Sequence, residues 1–363
     1  MEAITAGGSE RQVLQLIRFL TQAGESPKLC VLRDTKWLTE EQAGCPVVFW
    51  NVRSLSTLSD LRKLAELKDW IRSGNFDAIL TMFWEANLVG PILARWAGVP
   101  IVVGCRRNLN YWMSSRVAIL QRVSNLFTTA LLANCEAVKE VVTKMEHASP
   151  AKIKVLYNGI DTSRFRLNPE QRSIIRRALG IADHEVVVGN VSTLRPVKGL
   201  DLFVQAAARV AKQNSKCRFV LVGDGPEQPA IETAIRNHGL QGSFVLAGPQ
   251  VDVVPFLNAF DIAVLSSYSE GFSNSILEYM AARLPCIATD VGGNAEALGD
   301  SGILVPPNDP AALAAAILRL ADDSTQRSTL ADVAFRRAEG TFALADAQCR
   351  FHEYLLSLHN VAH

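Results

Sequence analysis

Paired cysteines are missing from this chain. Its seven cysteines fall at positions 30, 45, 105, 135, 217, 286 and 349, no two of them as Cys-x-x-Cys. Several sit inside apolar runs, as in Leu29-Cys30-Val31 and Pro285-Cys286-Ile287. They read as small buried hydrophobes in a reducing compartment, which excludes a zinc site or a disulfide framework. Long apolar runs are also missing. None reaches the ~20 residues of a membrane helix, and no signal-peptide pattern is read, so the expected location is the cytoplasm. An excess of either charge is absent: Lys and Arg number 37 against 36 Asp and Glu, a net charge of +1. That removes the electrostatic case for a nucleic-acid partner. No Asp-x-Asp metal motif occurs, and no histidine precedes His147.

What is present is apolar sequence in regular instalments. Hydrophobic residues make up 48% of 363 and charged residues 20%, enough for two domains that each bury a core. Val13, Leu16, Ile17 and Leu20 mark a helix face, with Ser9 and Gln12 at capping-box spacing. Strand-like runs follow at 28–32, 47–50, 77–81, 101–103, 130–133 and 154–156, with helical stretches at 58–73, 88–97 and 117–127. After the turn-rich Asn158-Gly159-Ile160-Asp161 the alternation restarts. Strands are expected at 186–190, 218–222, 244–247, 262–265, 286–289 and 303–305, with helices between them and at 311–320 and 344–358. The expected fold class is α/β, two Rossmann-like doubly wound domains. Their expected bounds are 1–160 and 161–340, with residues 341–363 as a C-terminal helix packing back on the first domain. Only Met1–Thr5 precede Gly7-Gly8 and the first helix, few residues for a central opening strand. The expectation is a natural chain that starts further upstream; a short but complete strand is the alternative.

The chemistry-bearing residues cluster in the second half. Ser269-Glu270-Gly271-Phe272-Ser273-Asn274-Ser275-Ile276-Leu277-Glu278 lies between an expected strand and a helix. A strand–loop–helix of this kind offers backbone N–H groups and a positive helix end to an anion. Gly271 permits close approach of a phosphate. Glu270 can accept from sugar hydroxyls, and Glu278 can reach a ribose diol. Ser275 and Glu278 also have capping-box spacing, the purely structural alternative. Arg195 and Lys198 flank a turn after the 186–190 strand, two cations suited to a diphosphate. Gly223-Asp224-Gly225-Pro226 forms a third turn after a strand. Three such turns at the carboxyl ends of strands in one domain point to a ligand site.

These segments resemble the retaining glycosyltransferases of family four, which have the GT-B fold of two domains facing across a cleft. The resemblance runs from Asn158-Gly159-Ile160-Asp161 through Arg195, Lys198, the Gly-Asp-Gly-Pro turn and the paired glutamates. It closes at Thr289-Asp290-Val291-Gly292-Gly293-Asn294-Ala295-Glu296 and Gly302-Ile303-Leu304-Val305. Gly7-Gly8-Ser9-Glu10-Arg11 resembles the family's glycine loop more loosely. The resemblance implies a hexosyltransferase that moves a sugar from a nucleotide-sugar donor, such as a UDP-sugar or GDP-sugar, to a glycan or lipid-linked acceptor. It implies no other cofactor and no metal. Arg195 and Lys198 would hold the diphosphate, and the Phe272 and Ser273 amides would cap its distal phosphate. Glu278 would bind ribose and Glu270 the transferred sugar. The loop with Pro249 and Val251 would line the base, with Gly8, Gly223, Gly225 and Gly271 against the donor. The leaving diphosphate would take the acceptor's proton, giving retention.

One departure concerns the first domain. Where many members carry a histidine, this chain reads Gly104-Cys105-Arg106-Arg107-Asn108. Arg107 is the acceptor-side candidate there, although an arginine cannot act as a base near neutral pH. The alternative makes Arg106 and Arg107 surface charges. Glu85 is a second acceptor-side candidate, against a plain helix N-terminal carboxylate. Tyr111-Trp112-Met113 with Arg116 and Arg122 suits peripheral contact with the inner face of a membrane, although an ordinary domain helix is the preferred reading. A catalytically silent sugar-nucleotide-binding subunit and a nucleotide-sugar epimerase are the competing functions.

Overall fold

The computed structural model describes residues 7–33, 38–52, 57–109 and 113–362. The opening strand expected at Met1–Thr5, and Tyr111 and Trp112, lie outside the described residues. The chain divides into two compact units, Met1–Asn158 with Ala345–His363, and Gly159–Leu344.

The first unit runs α1 (Gly8–Gln22), β1 (Leu29–Val31), α2 (Glu40–Ala43), β2 (Val47–Phe49), α3 (Leu58–Ser73) and β3 (Ala78–Met82). It continues α4 (Trp84–Ala97), β4 (Ile101–Arg106), α5 (Ser115–Asn125), β5 (Ala130–Ala133), α6 (Glu136–Met145) and β6 (Ile153–Val155). Its strands form two parallel ladders among the described residues, β1-β2 and β3-β4-β5-β6. Helix α1 buries Val13, Ile17 and Leu20, the apolar stripe its period requires. The expected Ser9–Gln12 capping box is not made. Gly7 stands at the N-cap with no side-chain cap, and Ser9 falls inside the first turn. Helix α3 does open on a side chain, the Thr57 hydroxyl accepting from the Asp60 amide. One apolar cluster joins α1, β1 and β4, and a second joins α3 and α4. A cavity of about 720 Å³ is lined by residues of both β1 and β3, among them Cys30, Ile79 and Met82.

The second unit runs α7 (Pro169–Ala178), β7 (Val186–Val191), α8 (Leu200–Ala211), β8 (Cys217–Val222), α9 (Gln228–Asn237), β9 (Phe244–Gly248) and α10 (Val254–Ala259). It continues β10 (Ile262–Leu265), α11 (Asn274–Ala281), β11 (Cys286–Thr289), α12 (Asn294–Leu298), β12 (Gly302–Val305), α13 (Pro310–Asp322) and α14 (Ser324–Thr341). Its strands form one parallel sheet in the order β12-β11-β10-β7-β8-β9. Strands β10 and β11 are buried along their whole length, as both faces of a helix-covered parallel sheet should be. The chain winds β7-β8-β9 to one side and then β10-β11-β12 to the other, so the order reverses between β7 and β10. Open α/β sheets bind ligands outside the carboxyl ends of the strands at such a switch point.

Helix α14 was not anticipated. Its buried residues are Ala331, Ala334 and Ala338, so no stripe of large apolar residues announces it. The last helix, α15 (Leu344–Ala362), joins the first unit from Ala345 on. Gln348 Nε2 donates to the Gln15 carbonyl at 3.1 Å. His352 stands 2.8 Å from Glu25 Oε1, edge-on to Phe19.

Candidate functional site

The loops after β7 and β10 flank the switch point, and they carry Arg195, Lys198 and Glu270. Arg195 precedes a single 3-10 turn, Pro196–Lys198, and its side chain is exposed. That turn aims Lys198 at the neighbouring loop. The Lys198 ammonium donates to Glu270 Oε1 at 2.6 Å, across 72 residues of sequence. The Ser267 hydroxyl donates to the same oxygen at 2.6 Å. Lys198 and Glu270 side chains are only 21% and 11% exposed. A carboxylate held by an ammonium and a buried hydroxyl is fixed before any ligand arrives, as a preorganised polar site requires.

The frame behind these groups is a web of backbone bonds. The Ser266 hydroxyl donates to the Lys198 carbonyl at 3.1 Å, and the Tyr268 amide to the Val197 carbonyl at 2.8 Å. Thr289 at the end of β11 donates to the Ser267 carbonyl at 2.5 Å, and the Gly293 amide to the Gly271 carbonyl at 2.8 Å. Gly271, Phe272 and Ser273 are buried, and Ser273 is the N-cap of α11 without a side-chain cap bond. Ser275 donates instead to the Val191 carbonyl at 3.1 Å, so the alternative reading, a capping box with Glu278, does not form. Glu278 lies in α11, 8% exposed. The Phe272 ring packs on Phe342, 5.4 Å between centroids. Pro249 and Val251 stand in an exposed loop after β9, Val251 fully exposed.

Three glycines make the close approach of the turns in this unit possible. Gly199 adopts φ +56°, and a Cβ there would meet the Ser266 carbonyl oxygen at 2.1 Å. Gly223 adopts φ +136°, and its Cβ would meet the Ser192 carbonyl oxygen at 1.9 Å. Gly225 likewise abuts Leu194, whose amide donates to the Asp224 carbonyl at 2.7 Å. Gly199→Ala should therefore lower the stability of this unit by about 1–3 kcal/mol, read as a fall in its melting temperature. An unchanged melting curve would mean that the two loops separate freely.

Three contributors went unnoticed in the sequence. Ser267 anchors Glu270, and Tyr279 accepts the Val191 amide at 2.8 Å to tie α11 to β7. Asn190, next to last in β7, is 1% exposed, and its Nδ2 has no hydrogen-bond partner. A lone asparagine near the end of an apolar strand was the one local signal among them.

The first unit holds the other candidates. Arg106 is not a surface charge. It is 5% exposed, and its Nε and Nη2 donate to the fully buried Glu146 at 2.9–3.1 Å. Asn125 bridges the two, accepting from Arg106 and donating to Glu146 at 2.8 Å each. Arg107 is half-buried at the end of β4 and donates to Asn158 at 2.7 Å. Burial pulls its guanidinium below the ordinary arginine range, opposed by Cys105 and Glu10. Glu85, in the first turn of α4, is paired with Arg33. The preceding Phe83 carries φ +68° with ψ 165°, a conformation almost reserved for glycine, at the carboxyl end of β3. Gly8 opens α1.

Comparison with known proteins covers most of the chain. The family model described as Glycosyltransferase Family 4 matches residues 6–164, and that described as Glycosyl transferases group 1 matches residues 185–323. The sequence is 28% identical over 282 residues to the UDP-Gal:alpha-D-GlcNAc-diphosphoundecaprenol alpha-1,3-galactosyltransferase of Escherichia coli, covering 75% of this chain and 73% of that protein. It is 30% identical over 292 residues to the D-inositol 3-phosphate glycosyltransferase of Kribbella flavida, covering 74% and 68%. Its fold matches Anabaena Alr3699/HepE in complex with UDP and glucose at a TM-score of 0.89, with 24% identity over 98% of each chain.

Proposed function

The chain belongs to the family-four glycosyltransferases and has their GT-B fold, and from that premise we propose that it transfers a hexose from a UDP-sugar with retention of configuration and without a divalent metal. The observation that carries this reading is the Lys198–Glu270 pair at the switch point of the second unit. The uridine nucleotide is preferred because HepE holds UDP and glucose and the Escherichia coli relative is named for UDP-galactose.

Cleavage of a glycosyl–phosphate bond builds negative charge on the departing diphosphate and positive charge on the sugar. Lys198 and Arg195, with the amide end of α11, would stabilise the first more in the transition state than in the ground state. This is the work a divalent ion does in other transferases. Glu270, fixed by Ser267, would hold sugar hydroxyls, and Glu278 the ribose. With no side chain acting as nucleophile, the diphosphate oxygen would accept the acceptor's proton on the face the sugar leaves. The acceptor would be a glycan or a lipid-linked sugar, as the diphosphoundecaprenol of the Escherichia coli relative suggests. A lipid-linked acceptor would bring the enzyme into peripheral contact with the inner face of the membrane.

The reading is tested by calorimetry with UDP, GDP and their sugars, followed by mass analysis of products. UDP should bind with equal affinity in the presence and absence of a chelator, and a UDP-hexose should release UDP. Chelator-abolished binding would remove the metal-free mechanism. Epimerised free nucleotide sugar, or binding with no turnover on any donor and acceptor, would replace transfer with one of the two competing activities.

A further inference from the structure

Helix α5 is amphipathic in the reverse sense. Its buried residues are Ala118, Gln121, Ser124 and Asn125. Gln121 and Ser124 donate to the Asn87 carbonyl at 3.0 and 2.8 Å, and Asn125 is locked between Arg106 and Glu146. The apolar residues point outward: Ile119 is 56% exposed, Leu120 53%, Val123 47% and Leu126 79%. A water-facing helix in a globular domain buries its apolar stripe. Here polar bonds to β4, α4 and α6 set the rotation of the helix, and the apolar residues are held in the open. Arg116 and Arg122, both exposed, lie beside them.

The sequence around this helix carries charge of one sign. Between Glu85 and Glu136 the sequence contains no aspartate or glutamate, and it contains Arg95, Arg106, Arg107, Arg116 and Arg122. The adjacent α4 presents Trp96, 60% exposed, and its Arg95 donates to the Phe127 carbonyl at 3.0 Å just beyond α5. Exposed apolar side chains beside the exposed Arg116 and Arg122, with the Glu146 carboxylate behind the helix buried and paired to Arg106, suit an interfacial helix on anionic lipid. Among the described residues no helix is long and apolar enough to cross a membrane, so this would be attachment from one side.

We propose that the outward face of α5, through Ile119, Leu120, Val123 and Leu126 with Arg116 and Arg122, docks this enzyme on an anionic lipid bilayer. The proposal rests on the peripheral membrane contact put forward above, and gives it a surface and a lipid class; it needs nothing of the donor site. Apolar burial would supply depth and the arginines the preference for anionic headgroups.

The test is co-sedimentation of the full chain with vesicles of phosphatidylcholine alone, or mixed with phosphatidylglycerol. Wild-type protein should partition to the mixed vesicles at least about tenfold better than to the neutral ones, and less so as salt is raised. The exposed triple change Ile119→Ser, Leu120→Ser, Val123→Ser should remove binding to both and leave the melting temperature and UDP affinity unchanged. Arg116→Glu with Arg122→Glu should erase the preference for the mixed vesicles. Vesicle binding that survives both sets of changes would leave a membrane contact standing and overturn its assignment to α5. Wild-type protein that stays in the supernatant with both vesicles would overturn the contact as well. A dimer dispersed by the triple change, with no vesicle binding, would assign the face to a second copy and overturn the proposal.

Discussion

Lys198→Ala should lower turnover of the nucleotide sugar by about 10²–10³-fold, the loss seen when one fixed stabilising group is taken from a developing oxyanion. The ammonium is placed and largely desolvated in the resting protein, 2.6 Å from Glu270 and 21% exposed. Little reorganisation remains to be done when the diphosphate begins to leave. Arg195 cannot fill in, because it stands at the far end of the 3-10 turn with an exposed side chain. The comparison variant is Glu270→Gln, which keeps an acceptor for the Ser267 hydroxyl and removes the ion pair. It should lose turnover while UDP affinity stays nearly constant, since the carboxylate is assigned to the sugar and the ammonium to the diphosphate. UDP titration and UDP release, measured on both variants, separate the two roles. Wild-type turnover in Lys198→Ala would remove the diphosphate assignment.

The largest effect on stability should come from the other unit. Glu146→Ala removes the carboxylate that receives two nitrogens of Arg106, leaving a guanidinium 5% exposed with no counter-charge of its own. Breaking a buried pair from one side costs about 3–5 kcal/mol, a large fraction of a domain's whole stability. The loss should also loosen α5, because Asn125 donates to Glu146 and accepts from Arg106. Urea unfolding, followed by a probe confined to the first unit, should show the shift, with UDP binding by the second unit retained. Arg106→Met with Glu146→Leu removes both charges together and should be far milder. Equal curves for wild type and Glu146→Ala would show that solvent reaches the Arg106 site.

The sequence carried the loops proposed to hold the donor in readable form, because their information is local. Arg195 and Lys198 stand beside a proline turn, and Glu270-Gly271 lies just after a β-branched apolar run. Strand runs such as 130–133, 262–265 and 286–289 were legible from composition alone, as was the 58–73 helix. Helix α14 was not, because alanine buries against a neighbour without leaving a periodic signal. The capping box expected at Ser9, and the one offered as the structural alternative at Ser275, do not form, because the right spacing fell inside a helix that began on other residues.

Residue by residue, then, the chain alone pointed to the side chains proposed to grip a diphosphate and settled which runs become strands, since turn chemistry and hydrophobic period act over a few neighbours. It left undecided that Lys198 meets Glu270, that Arg106 is buried on Glu146, and that α5 turns its apolar side outward. Each of these depends on which strand lies beside which. The β12-β11-β10-β7-β8-β9 order brings β7 against β10, and the hydrogen bonds that rotate α5 come from residues far along the chain. Such partners are chosen by packing the whole sheet, and no short stretch of sequence contains them.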